Sequence, residues 1–205
     1  MSIVTLNDRG VRSVTAFGSL NTGSMIFIKK LTASSSSTLS FVNGSSSVVL
    51  DSTYREYLFT FKDIHPATNG ASLQFNMSAD SGSNYNVTKT TTAFYAYHRE
   101  DDGGNGLSYS TGEDIAQGTG FQNIAYAITS DNKSCGVGTL HLFNPSSTTF
   151  VKHFIARSNA YAVTPYSIEF NYGGYGNTTS AVDAIQFKMS SGNIDAGDIC
   201  LYGIL

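Results

Sequence analysis

The last 22 residues constrain the fold more than any other part of the chain, because they hold two kinds of strand joined by a turn. Ile185, Phe187 and Met189 alternate with polar residues, which predicts a strand with one apolar face. Residues 190–193 (SSGN) have turn chemistry. Residues 199–205 (ICLYGIL) are apolar almost throughout, which predicts a strand covered on both faces. We therefore expect this terminus to be tied into a sheet.

Short alternating segments recur along the rest of the chain, with residues 57–61 and 73–77 as the clearest. Turn residues separate them at regular intervals, and no segment has a convincing helical pattern. About ten or eleven strands result, with no internal repeat and no linker that divides the chain. The pattern predicts an all-β fold: an antiparallel β-sandwich or jelly roll of about ten strands over residues 21–205.

Composition narrows the possible functions. Charged residues make up only 13% of the chain, and 49 of its 205 residues are Ser or Thr. The net charge is −3 with no Lys/Arg-rich run, which disfavours nucleic-acid binding. No apolar run reaches the ~18 residues of a membrane span, and no signal-peptide core is present. We expect synthesis in a cytoplasm, with Cys135 and Cys200 as reduced thiols.

Residues 1–20 differ from the rest, because small and polar residues interrupt every regular pattern there. One interpretation is a frayed terminus followed by a short strand. The other is an arm that lies along another protein, with Ile3, Val4 and Leu6 as its apolar contacts. We therefore separate a possible anchoring arm, residues 1–20, from the sandwich domain, residues 21–205.

Four stretches carry a resemblance to a known group of proteins. Residues 190–204 follow the pattern SSGN-x-x-x-G-x-I-x-LYGI. The other three are residues 51–59 with His65 and Pro66, residues 94–98 with the acidic loop after them, and residues 143–153. Together they resemble a β-sandwich domain in structural proteins of tailed bacteriophages, common among marine and cyanobacterial phages. The likeness covers most of the chain from Gly18 onward.

This resemblance implies a non-enzymatic virion protein, either a head decoration or a tail-fibre-like appendage. In that group short N-terminal segments commonly attach an appendage to the particle, which favours the arm. The expected partners are further copies of the chain, with a trimer as the first expectation, other capsid or tail proteins, and a host surface glycan. No cofactor, nucleic acid or membrane insertion is expected.

Two loops are the candidate contacts with a host or ligand. The first, residues 99–106, is acidic and glycine-rich and contains Asp101, Asp102 and Asn105. Their oxygens are ligands that calcium accepts, but a solvated turn explains them more simply. The second, residues 173–177, is flanked by Tyr172 and includes Tyr175 and Asn177. Aromatic faces there would suit either a sugar ring or, as we favour, a subunit contact.

Two other kinds of site carry less weight. A hairpin that pairs Phe143 with Thr149 would make His141 and His153 diagonal neighbours on one face, but further zinc ligands are not evident. Glycoside cleavage would need two carboxylates that face each other across a cleft. The candidate carboxylates are those of residues 100–102, 113 and 114. Their adjacent positions in loops do not predict such an arrangement. The alternatives to a virion protein are therefore a stand-alone carbohydrate-binding module and, less favoured, a glycan-degrading enzyme.

Overall fold

The structure, a computed structural model, describes residues 24–205, and every regular element in this range is a β-strand. The predicted arm with Ile3, Val4 and Leu6 lies outside the described residues, as does the boundary at residue 21. In chain order the strands are β1 (Met25–Ser36), β2 (Leu39–Val42), β3 (Glu56–Pro66), β4 (Ala71–Ser78), β5 (Lys89–Arg99), β6 (Asn105–Tyr109), β7 (Gln122–Ile128), β8 (Gly136–Phe143), β9 (Lys152–Tyr161), β10 (Tyr166–Gly176), β11 (Ala184–Met189) and β12 (Ile194–Ile204).

The strands form two sheets in which all neighbours are antiparallel. The larger sheet has the order β1-β12-β3-β8-β9-β10-β5-β6, and the smaller has the order β2-β11-β4-β7. The predicted all-β class and the two-sheet sandwich are thus confirmed, while the finer jelly-roll topology stays a prediction. The strand that the alternation missed is β6, whose Leu107 and Tyr109 are both exposed and give it no buried face.

The core lies between the two sheets and is rich in phenylalanine. Phe41 and Phe187 of the smaller sheet pack edge-to-face against Phe59 of the larger, with ring centroids 5.3 and 5.4 Å away. Further along, Phe75 and Phe154 meet in the same way at 4.9 Å. Such pairs contribute ~0.5–1.5 kcal/mol each beyond the area they bury. The alternating apolar faces of the sequence therefore point inwards as predicted.

The C-terminal strand is tied into the larger sheet as expected, but the prediction that both of its faces are covered is wrong, because Tyr202 and Ile204 on its outer face are only partly buried. β12 lies between β1 and β3, and its Ile199 and Leu201 are fully buried in the core. Cys200, on the opposite face, is also buried. The backbone N–H of Leu205 donates to the carbonyl of Ser24 at 2.9 Å. The last residue is thus tied to the beginning of β1.

The hairpin between β8 and β9 differs from its predicted register. Leu142 pairs with Phe154 and His141 with Ile155, so Phe143 does not pair with Thr149. The connection is longer than the five residues expected because the Ser147 hydroxyl accepts hydrogen bonds from the N–H groups of residues 149 and 150. Pairing between the two strands therefore starts only at Leu142 and Phe154.

The two ends of the larger sheet carry different residues. Met25, Ile204 and Tyr175 lie near one end, which we call the Met25 end. Arg99 of β5 and its partner Tyr166 of β10 mark the opposite one, the Arg99 end. The face of the larger sheet turned away from the smaller sheet is called the outer face. None of the elements that the structure describes is a helix that could span a membrane.

Candidate binding cleft and association surface

A cleft lies at the Arg99 end, where the inner face of β5 and β10 continues beyond the smaller sheet. Along β5 the inward-pointing residues change from the buried Ala93 to the half-buried Tyr95 and Tyr97. The cleft has a volume of about 290 Å³. It is lined by Tyr95, Tyr97, Arg99, Tyr166 and Ile168, and we call it the tyrosine cleft.

The rings of this cleft support one another. Tyr95 stacks on Phe170, with centroids 5.0 Å apart, and Tyr97 packs against Tyr166 at 5.4 Å. Tyr126 from β7, the edge strand of the smaller sheet, contacts Phe170 from the other side at 5.1 Å. Antiparallel pairing puts Tyr95 directly opposite Phe170. The strand register therefore holds the aromatic wall in place.

The phenol hydroxyls converge in this region. Burial raises the pKa of Tyr166, and the neighbouring phenols of Tyr126, Tyr95 and Tyr97 raise it further. Within residues 24–205 none of these four hydroxyls has a hydrogen-bond partner. Three of these hydroxyls, those of Tyr95, Tyr97 and Tyr166, belong to residues that line the cleft and thus remain available to a ligand.

The acidic loop contributes one residue, Arg99, to the lining of the cleft. Arg99 donates from Nε and Nη2 to the two carboxylate oxygens of Asp101, at 2.9 and 2.8 Å. These bonds, together with the Gly103 N–H, lower the pKa of Asp101 to about 2. Asp102 instead lies 3.0 Å from Nε2 of His98. The predicted loop therefore reaches the cleft through Arg99, while its carboxylates have protein partners.

The tyrosine loop predicted over residues 173–177 is corrected by the structure. β10 runs through to Gly176, and Tyr172 is only 1% exposed, so this residue is no surface contact. Its hydroxyl is buried and has no hydrogen-bond partner in the part of the chain that the structure describes. Tyr175 is half-buried on the outer face, and the exposed Asn177 donates to Gln117 at 2.9 Å.

The two predicted contact loops do not form one surface. Asp101, Asp102 and Asn105 are exposed at the Arg99 end, whereas Tyr175 and Asn177 lie at the Met25 end. The residues that sequence reasoning missed are Tyr95 and Tyr97. Their alternation along β5 was visible, but nothing in it shows that the smaller sheet stops short of them.

A second candidate surface covers the Met25 half of the outer face. Register places its side chains in two neighbouring rows across the sheet. The first row is Phe27, Tyr202, Leu58, His141, Ile155, Gly173 and Thr92. The second row is Met25, Ile204, Glu56, Phe143, His153, Tyr175 and Thr90. We call these two rows the outer apolar patch.

Exposure is high in this patch, and charge is scarce. Phe27 is 57% exposed and Ile155 is 56% exposed. The one carboxylate in the two rows, Glu56, accepts a hydrogen bond of 2.6 Å from Nδ1 of His141. A depression of about 500 Å³ lies over Gly173, between Ile155 and Tyr175. The remainder of the outer face is mixed, because it includes an Arg157–Glu169 ion pair as well as the exposed Phe94 and Val137.

The other predicted chemistries are placed apart. Glu113 accepts a hydrogen bond from Asn123 at 2.6 Å, and Asp114 accepts one from the Tyr109 hydroxyl at 2.6 Å. No group of three or more His, Cys, Asp or Glu side chains among residues 24–205 is placed to hold a metal ion. Cys135 and Cys200 are both free, as expected.

Comparison with known proteins finds no relative. No family model matches the chain, and neither the curated proteins nor the solved structures contain a match. The class of molecule is therefore defined by the features of residues 24–205: a β-sandwich of twelve strands in that range, with a tyrosine cleft at one end and an outer apolar patch near the other.

Proposed function

We propose that this chain is a non-enzymatic structural domain of a tailed-phage particle, a surface appendage that associates with copies of itself and presents its Arg99 end to the host. The phage setting rests on the four sequence stretches that resemble such domains. The structural support for self-association is one observation, the outer apolar patch. Contiguous exposed apolar surface of this kind marks interaction sites on soluble proteins.

Association through the face of the sheet is favoured over association through its edge. Of the two edge strands of the larger sheet, β1 carries Lys29 and Lys30 and has a register shift between Phe27 and Lys29, and β6 is only 5 residues long. Lysines, bulges and short length are features by which edge strands resist pairing with another chain. The outer apolar patch has no such protection, since its one carboxylate is already bonded to His141. A second copy of the chain therefore fits this surface best.

Light scattering of the purified full chain tests the proposal. We expect a stable oligomer, with three times the chain mass of 21.9 kDa as the first expectation. Ile155→Asp should weaken association on the order of 100-fold, because the interface would then bury an unpaired charge. Val137→Asp is the matched control, since Val137 is exposed on the outer face but lies outside the two rows.

A chain without residues 1–20 separates assembly from attachment. The oligomer should persist in this shortened chain if the sheet face carries the contact. A wild-type protein that remains at 21.9 kDa at all concentrations would contradict the self-association proposal. Equal loss of association in Ile155→Asp and Val137→Asp would show that the outer apolar patch is not the interface.

One observation favours a second candidate, a stand-alone carbohydrate-binding module. The tyrosine cleft is complete within a single chain, since all five of its lining residues come from β5 and β10. A monomer that binds saccharide would support this alternative over an appendage.

A further inference from the structure

We infer that the tyrosine cleft binds a single ring of a neutral saccharide. The inference deepens the proposed contact with a host surface, and its biological meaning rests on that proposal. Three features of the cleft support this inference: its aromatic walls, its charge and its size.

The walls offer what a sugar ring requires. A pyranose has an apolar face of C–H groups and a rim of hydroxyls, so it needs an aromatic surface with polar groups beside it. Tyr97 and Tyr166, 5.4 Å apart, provide the aromatic surface. The hydroxyls of the lining residues Tyr95, Tyr97 and Tyr166 have no partner among residues 24–205, so each can both donate to and accept from a ligand.

The charge of the cleft selects a neutral ligand. Arg99 is the one cation that lines it, and Asp101 already satisfies this guanidinium through two hydrogen bonds. An anionic sugar or a phosphate would have to compete with that carboxylate. Asp101 thus neutralises the charge of Arg99, although the N–H groups of Arg99 that do not bond Asp101 can still donate to a sugar hydroxyl.

The size of the cleft limits how much of a ligand enters. Its volume of about 290 Å³ lies at the small end of the range for ligand pockets, ~300–1,000 Å³. One ring of a longer glycan fits such a site better than a protein segment does. The end of the sandwich leaves the rest of the glycan room to extend into solvent.

Two glycines of the acidic loop leave room for the side chains that line the tyrosine cleft. A Cβ atom at Gly106 would lie 3.0 Å from Cε1 of Tyr97, so the absence of a side chain lets this ring lie against β6. Gly104 similarly faces Arg99 and the Tyr97 hydroxyl. The loop residues thus act as positioning residues for the tyrosines, rather than as ligands themselves.

Saturation-transfer NMR with defined sugars tests the inference. The probes are the methyl glycosides of glucose, galactose, mannose and N-acetylglucosamine, with glucuronic acid and sialic acid as anionic comparators. We expect transfer to at least one neutral glycoside at millimolar concentration. Tyr97→Ala should abolish it, and Tyr166→Phe, which keeps the ring, should weaken binding about fivefold to tenfold through loss of one hydrogen bond.

Tyr161→Phe is the matched control, because Tyr161 lies outside the cleft beside Lys133. Absence of transfer to every neutral glycoside would overturn the inference, and so would stronger transfer to the two anionic sugars or an equal effect of Tyr161→Phe. The outcome is separable from the test of assembly. An oligomer that binds no sugar overturns the cleft inference alone, whereas a monomer that binds sugar overturns the self-association proposal alone.

Discussion

Two lysines are buried without a carboxylate partner among residues 24–205. Lys89 and Lys152 are both fully buried, and both pair with Gly176, one from each side. The Lys89 ammonium donates to Oδ1 of Asn76 at 2.6 Å and to the Val87 carbonyl at 2.9 Å. Lys152 donates to the carbonyls of Phe150 and Thr178. Neutral oxygens compensate a buried charge only in part.

Lys89 should therefore make the stability of the fold depend on pH. Burial lowers its pKa from the ordinary 10.5 to about 8. Between pH 8 and pH 10 the unfolded chain holds a proton that the folded chain has released, so stability rises with pH. Relative to Lys89→Met, the free energy of unfolding of the wild type should increase by about 2 kcal/mol over this range.

Urea unfolding at pH 7, 8.5 and 10 measures this difference, with the exposed Lys62 replaced by Met as control. The comparison stays at or below pH 10 because burial raises the pKa of Tyr57 to about 12, and tyrosine ionisation then acts in the opposite direction. If the free energy of unfolding had the same pH dependence in the wild type and in Lys89→Met, the folded protein would not lower the pKa of Lys89, and this prediction would be wrong.

At the scale of single strands, two glycines distinguish tight packing from open surface. A Cβ atom at Gly138 of β8 would lie 2.5 Å from the Arg157 carbonyl oxygen and 2.9 Å from Cα of Ser158. At Gly173 of β10 the nearest atom would be Oγ1 of Thr92, at 3.7 Å. Close packing against β9 thus explains the glycine at position 138, whereas no close contact explains the glycine at position 173.

Alanine at these positions should change stability in opposite directions. Gly138→Ala should lower the free energy of unfolding by roughly 1–3 kcal/mol, because backbone atoms of β9 would have to move. Gly173→Ala should leave it unchanged or raise it by up to ~1 kcal/mol, because alanine restricts the unfolded chain more than glycine does. Urea denaturation of both variants tests the pair, and similar losses in both would contradict the packing argument.

The strands were largely predictable, but the extent of the smaller sheet was not. Alternation places Tyr166 and Tyr172 on the same face of β10, and their local sequences gave no reason to treat them differently. Tyr172 is buried because other parts of the fold cover it, whereas Tyr166 lies at the uncovered Arg99 end. Whether a tyrosine packs in a core or lines a cleft is thus a tertiary property.

The hairpin error has a similar cause. The polar residues at 144–148 predicted a short loop correctly in kind, but the hydrogen bonds of the Ser147 hydroxyl extend the turn to Phe150. An error in the length of a turn shifts every cross-strand pair after it. His141 therefore meets Ile155 rather than Val151, although His141 and His153 remain on one face.

At the scale of the whole molecule the two candidate surfaces are separated along the strands. The outer apolar patch includes Met25, at the start of β1. The tyrosine cleft and the acidic loop lie at the opposite end. An appendage would need this arrangement, because contacts with the particle and with a host surface must not compete for the same side chains.

Hydroxyl-radical footprinting of the assembled protein should show this division directly. Met25 and Phe27 react readily as exposed side chains, so oligomer formation should lower their modification severalfold relative to the Ile155→Asp variant. Tyr97 and Tyr166 should react equally in both proteins, which makes them an internal control. If Tyr97 and Tyr166 were protected instead, the Arg99 end would be the interface, and the cleft would be closed to a ligand in the assembly. Protection of both ends would instead indicate head-to-tail contacts between two different surfaces, so the outer apolar patch would not be the whole interface.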